Sequence, residues 1–158
     1  MKNGTRELMN FLRFATRKYN MFQKDQACCC GTTMAQSQVI MEIGYSRDIS
    51  LVQLATTLGL DRSTMSRTVH NLVELGLVHR VEDSQDRRYV VLRLSDDGKV
   101  TFRYIEEQVM NYLDEVLADI PRDKKDQVLE SLALLETALE KQKCCGDSNC
   151  RCGCREGS

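Results

Sequence analysis

Apolar side chains recur along this chain with a helical period, and the pattern is sharpest from Ser50 onward. In "SLVQLATTLGL", Leu51, Leu54, Ala55 and Leu58 stand at i, i+3, i+4 and i+7, the single stripe of a short helix. Ser50 with Gln53 three residues later predicts a capping box at its start, and Gly59 predicts its stop. Asp61 is placed to cap a second helix, "RSTMSRTVHNLVELG", that runs to Gly76. Met65, Val69 and Leu72 share one side of it. At ~100° per residue, Arg62, Ser63, Ser66, Arg67 and His70 gather within about 140° of each other on a different side. This helix should pack through its apolar side and offer hydroxyls and arginines outward.

Beyond Gly76 the period shortens to two. "LVHRV" (Leu77–Val81) and "YVVLRL" (Tyr89–Leu94) read as strands, with Val90, Leu92 and Leu94 alternating onto one face. The polar stretch "EDSQDRR" lies between them as a hairpin tip. Two helices joined by the tight "GLD" turn could be a helical hairpin with a solvated face or a helix-turn-helix. The hairpin that follows favours a winged helix. Short hydroxyls can approach phosphates and base edges closely, and an arginine can donate twice to a guanine edge. Arg87 or Arg88 could lie along the DNA backbone or enter the minor groove. Asp86 suits orienting Arg88 more than touching DNA.

The flanks are helical as well. Thr5–Phe22 places Leu8, Met9, Phe11, Leu12, Ala15 and Tyr19 at roughly helical spacing, and "MAQSQVIMEIG" (Met34–Gly44) reads as a helix capped by Thr33. Ser95 opens a long helix ending near Pro121. A last helix carries Val128, Leu132, Leu135 and Leu139 in a stripe. A winged-helix core is too small to bury both terminal stripes, which argues for terminal helices interlocked between two copies. The fold class is therefore mainly α with a small β-hairpin wing. The expected organisation is an N-terminal dimerisation helix with a cysteine run (1–32), a winged helix-turn-helix (33–100), C-terminal dimerisation helices (101–143) and a cysteine-rich tail (144–158).

Composition narrows this reading. The chain has 158 residues, one proline and no tryptophan, with 28% charged residues, which suits a soluble helical domain with a real core. No apolar run approaches the ~18–20 residues of a membrane span, and the N-terminus is not that of a secretory signal, so a cytoplasmic location is expected. Net charge is −1. It is uneven: residues 1–30 carry six positive and two negative charges, residues 104–143 five and ten, and residues 61–103 eight and seven. A uniformly basic nucleic-acid binder is excluded, and DNA contact must come from grouped arginines. No phosphate loop, no C-x-x-C at a helix start and no Ser/His/Asp set stands out, so an enzyme is not expected.

Taken in order, the residues "LATTLGLDRSTMSRTVHNLVELGLVHRVEDSQDRRYVVLRLSDDGK" resemble the winged-helix core of the multiple antibiotic resistance regulator (MarR) family. The resemblance rests on the "LA..LGLD.ST.SR.V..L...GLV.R" spacing, on Asp86 and Arg88 in the wing, and on "LRLSDDGK" running into a helix. It implies a homodimeric DNA-binding repressor whose affinity responds to a small ligand or to oxidation. Carried over, contacts to a pseudo-palindromic duplex operator fall on Ser63, Thr64, Ser66 and Arg67 in the recognition helix, joined by Arg62 on the same face. Those of the wing fall on Arg87 and Arg88.

The cysteines depart from that pattern. Three of the eight stand together as Cys28, Cys29 and Cys30; the other five, Cys144, Cys145, Cys150, Cys152 and Cys154, crowd the tail. Thiolates select soft centres such as Zn(II), Cu(I) or As(III). The C-x-C-x-C array ending at Cys154, with Gly146, Gly153 and Gly157 nearby, could wrap one. His70 and His79 lie in the DNA-binding half and do not suit a mixed site. Fifteen residues follow Lys143, and at ~3.3–3.6 Å each they could span about 50 Å, enough to reach the Cys28–Cys30 run of either subunit. No cofactor is needed for the fold. The thiols at the two ends fit a metal or metalloid effector, an oxidant sensor, or a metal-storage or chaperone protein that reads no DNA sequence; a tail without a sensing role stays open.

Overall fold

The computed structural model describes residues 2–29, 31–46, 48–82 and 90–142. The wing tip with Asp86, Arg87 and Arg88, the tail with its five cysteines, and Cys30 lie outside the described residues. Helix α1 (Lys2–Cys29) has 28 residues, about 42 Å at 1.5 Å per residue. It is longer than the expected Thr5–Phe22, so Cys28 and Cys29 fall in its last turn and not in a loop beyond it. The physical reason is the lack of a breaker, since no glycine or proline stands between Gly4 and Gly31. Gly31 then takes a φ of 65°, and Thr32 N–H donates back to the Ala27 carbonyl at 3.0 Å, the 6→1 bond of a Schellman cap.

Three short helices follow: α2 (Met34–Tyr45), α3 (Leu51–Thr57) and α4 (Arg62–Glu74). Each start is chemically marked. The Thr33 and Ser50 hydroxyls accept from Gln36 N–H (3.2 Å) and Gln53 N–H (3.3 Å), while each glutamine reaches back to the cap's own N–H at 2.8 and 2.9 Å. Both are complete capping boxes. The ends of α3 and α4 fall where glycine was expected to stop them: Gly59 and Gly76 have φ of 62° and 72°. Leu60 and Leu77 N–H donate back to Ala55 and Leu72 O.

Helix α2 is the centre of the core. Its Val39, Ile40 and Ile43 join Leu54 of α3, Met65, Val69 and Leu72 of α4, and Ile105 further along the chain in one buried cluster. The three residues assigned to the inner side of α4 are all fully buried. Each such side chain contributes roughly 1.5–3 kcal/mol of burial.

Strands β1 (Val78–Glu82) and β2 (Val90–Leu94) pair antiparallel with Val78 opposite Leu94 and Glu82 opposite Val90. Ile49 adds a single bridge on the far side, its carbonyl accepting from Leu92 N–H at 2.8 Å. The expected common face of Val90, Leu92 and Leu94 needs one correction. Leu92 is buried, but Val90 stands 51% exposed because it lies at the outer end of the ladder, past the core; Val91 on the opposite face is buried instead.

Helix α5 (Asp96–Ala118) begins after Ser95, as expected, and stops before Pro121. The Ser95 hydroxyl accepts from Gly98 N–H at 2.9 Å and donates to the Gly76 carbonyl at 2.6 Å, so one buried side chain caps α5 and ties it to the end of α4. Residues through Asn111 make one compact unit; from Tyr112 onward a second contains the end of α5, a 3₁₀ turn (Arg122–Lys124) and α6 (Lys125–Glu140). No helix among the described residues is long and apolar enough to cross a membrane.

Candidate nucleic-acid interface

The outward face of α4 is built by its inward one. With Met65, Val69 and Leu72 fixed in the core, helical geometry turns Arg62, Ser63, Thr64, Ser66, Arg67 and His70 to solvent, and all six are exposed. The turn Thr57–Asp61 sets α4 against α3, whose Leu54 and Ala55 are buried. The candidate contact residues of the helix are therefore presented together on one continuous surface.

The first turn of that surface is more ordered than a solvated helix end. Asp61 is the N-cap. Its Oδ1 accepts from Thr64 N–H at 2.8 Å and from the Ser63 hydroxyl at 2.5 Å, and its Oδ2 accepts from the Thr64 hydroxyl at 2.6 Å. These bonds, the Ser63 hydroxyl first, hold the Asp61 carboxyl well below the usual carboxylate range. Sequence reading assigned Asp61 the cap alone. Its hold on two of the expected contact residues could not be read there, since the D-x-S-T spacing permits the hydroxyl bonds without requiring them.

At the base of the wing, Arg93 Nε donates to Asp48 Oδ1 at 2.6 Å, which pins the loop ahead of α3 to β2. This pairing and the Ile49 bridge fix where the hairpin leaves the core. Arg87 and Arg88, and Asp86 as the orienting residue of Arg88, lie outside the described residues.

A second feature was absent from sequence reading. The Gln26 amide donates to the Ile105 carbonyl at 2.9 Å and the Gln38 amide to Gln23 Oε1 at 3.2 Å, joining α1, α2 and α5. Between these helices opens a cleft of about 360 Å³ lined by Tyr19, Gln23, Gln26, Gln38, Met41 and Tyr45 among others. Burial, reinforced by Glu106, pushes the Tyr45 phenol up. Such amide spacing has no period to betray it in the sequence.

For the cysteines, the Cys29 thiol is exposed at the end of α1. Among the described residues no group of three or more His, Cys, Asp or Glu side chains could hold a metal ion. Cys28 shares the last turn of α1 with Cys29.

Residues 31–88 match the model of the MarR family. The chain resembles the MarR family over that segment, 58 of its 158 residues. It is 29% identical over 111 residues to a Bacillus subtilis protein described as the uncharacterized HTH-type transcriptional regulator YfiV, covering 70% of this chain and 69% of that one. A MarR family protein from Bacillus stearothermophilus superposes with a TM-score of 0.82 at 20% identity, covering 89% of this chain and 99% of that one. Staphylococcus aureus MarR, solved in complex with salicylate and kanamycin, gives 0.75 at 17% identity, covering 88% and 94%. The mainly helical winged helix is thus the expected fold, shared with these MarR-family structures.

Proposed function

We propose that this MarR-family chain is a homodimeric repressor that binds a pseudo-palindromic DNA operator and is released by a thiol-directed signal. The signal is a soft metal or metalloid such as As(III), Cu(I) or Zn(II). The observation that carries the DNA half is the exposed face of α4, where Arg62, Ser63, Ser66 and Arg67 stand outward over a fully buried Met65–Val69–Leu72 anchor. A surface of hydroxyls and guanidinium groups on the second helix of a helix-turn-helix matches the donors and acceptors of a major groove. The thiol half rests on the sequence and on the exposure of Cys29. One exposed thiol does not hold a metal, so the tail cysteines would complete the donor set, either within a subunit or across the pair.

The coupling has a route in the bonding of α1. Cys28 and Cys29 lie within three residues of Gln26, whose buried amide grips α5. A ligand captured at the helix end can shift the equilibrium only by binding one arrangement of these helices better than the other.

The test measures binding of the reduced full-length protein to an operator enriched from random duplexes, at stated salt, during titration with As(III), Cu(I) or Zn(II). Tight sequence-dependent binding, reversed by one of these ions, is expected. The variant Cys28→Ser/Cys29→Ser/Cys30→Ser should keep its DNA affinity and lose the release. Release by peroxide alone would favour the oxidant-sensing alternative. Metal uptake without any sequence preference would favour storage.

A second reading of the signal is favoured by the cleft between α1, α2 and α5. Its amide and phenol lining suits a small planar organic effector, and the Staphylococcus aureus neighbour was solved with salicylate. Release of the triple-serine variant by such a compound would select this reading.

A further inference from the structure

The bonding at the start of α4 decides which way its hydroxyls point their protons. A serine or threonine hydroxyl has one proton to donate and two lone pairs. Ser63 spends that proton on Asp61 Oδ1 and Thr64 spends its own on Asp61 Oδ2. Both are short, charge-assisted bonds to a carboxylate that remains ionised throughout the neutral range. What the two exposed side chains present to a neighbour is therefore lone pairs only.

Duplex DNA answers that restriction sharply. Phosphate oxygens are acceptors and offer nothing to a lone pair, and the Asp61 charge beside them would repel a phosphate. In the major groove the donors are the N4 amine of cytosine and the N6 amine of adenine; thymine O4 and guanine O6 and N7 are acceptors. We propose that Asp61 fixes Ser63 and Thr64 as hydrogen-bond acceptors, so that the first turn of α4 reads an exocyclic base amine and not the DNA backbone. Asp61 is a positioning residue in this scheme. It sets the polarity of the contact without touching the base. Phosphate contact then falls to the guanidinium groups of Arg62 and Arg67, which are free of this constraint.

The inference rests on the DNA-binding reading above, and its test separates the two. An operator is first enriched from random duplexes with the full-length protein. Failure to enrich any sequence ends the DNA-binding reading and this one with it. Within the enriched duplex each adenine is then replaced by N6-methyladenine and each cytosine by N4-methylcytosine, one at a time. These bases keep their Watson–Crick pairing while a methyl takes the place of the amine hydrogen that faces the groove. At one position or more in each half-site, wild-type affinity should fall roughly five- to ten-fold, the scale of one base-edge contact. Whether the sensitive base is adenine or cytosine identifies which amine is read. In Ser63→Ala/Thr64→Val the same methylation should change affinity less than two-fold. Asp61→Asn supplies the control for a merely structural role. Asparagine still caps the helix, but with one of its carbonyl's two lone pairs taken by Thr64 N–H it cannot hold both hydroxyl protons as well. Its preference at the sensitive position should relax towards bases that present an acceptor, with other positions unchanged. The proposal is overturned if no amine methylation weakens the wild-type complex. It is equally overturned if Asp61→Asn shifts affinity by one common factor for every duplex.

Discussion

At the scale of single residues, Asp61 does two jobs that pull in one direction. It satisfies the free N–H of Thr64 in the first turn of α4 and orders the hydroxyls of Ser63 and Thr64. Its carboxyl is depressed in the folded chain, so the sign of its pH effect is fixed. The stabilisation is complete above the unfolded value, about 3.9, and is lost as pH falls toward the lower folded value. The difference in urea stability between wild type and Asp61→Asn should therefore stay constant from neutral pH down to roughly pH 5. It should shrink below about pH 4. A difference that changed instead between pH 6 and 8 would assign the effect to another group. The cap could be read from position alone, because an Asp before an apolar-periodic run has few other uses. The hydroxyl bonds could not, because Ser63 and Thr64 satisfy a DNA-facing pattern equally well whether or not their protons are committed.

At the scale of elements, chain punctuation was the most readable feature. Ser50 with Gln53, Gly59, Asp61, Gly76 and Ser95 all mark the boundaries they predict, because each acts within four residues of itself. The end of α1 was misplaced because, with no breaker before Gly31, nothing local marks where the helix stops. Helix continuation past Phe22 depends on what its last turns pack against, here α2 and the Ile105 carbonyl, and those partners are far along the chain. The α4–β1–α5 junction shows the same dependence. A Cβ built on Gly98 would run into the backbone carbonyl of Leu77, and one on Gly44 into the Phe102 ring. Backbone cannot yield as a ring can. Gly98→Ala should destabilise the chain by about 1–3 kcal/mol, as overpacking does. It should lower the urea midpoint with little change in slope. Gly44→Ala should cost less if the Phe102 ring can rotate from its edge-on contact with Tyr45. The reverse order of the two would mean that α5 shifts along its axis more easily than the Phe102 ring turns.

At the scale of the whole molecule, the apolar surface left over by one chain is what the proposed assembly has to cover. On α1, Leu8, Met9, Phe11 and Phe14 are exposed, and no residue of the 16-residue α6 is buried. An isolated helix of ~12–15 residues is marginal in water, so α6 requires a surface to lie on. Its Leu132 and Leu139 stand 46% and 48% exposed on the stripe expected from the sequence. The opposite charges of residues 1–30 and 104–143 suit terminal segments that interlock between copies. The homodimer proposed above would bury these stripes and would bring two copies of α4 to a two-fold related site. Leu132→Glu/Leu139→Glu places two charges on that stripe without touching the winged-helix core. Sedimentation should show the wild type as a dimer and this variant as a monomer with its helical spectrum largely kept. Its DNA affinity should fall far more than any single α4 substitution achieves, because one recognition helix then binds without its partner. A variant that stayed dimeric would move the interface to α1 and α5. One that became monomeric yet bound the operator as tightly would remove the two-fold site from the argument.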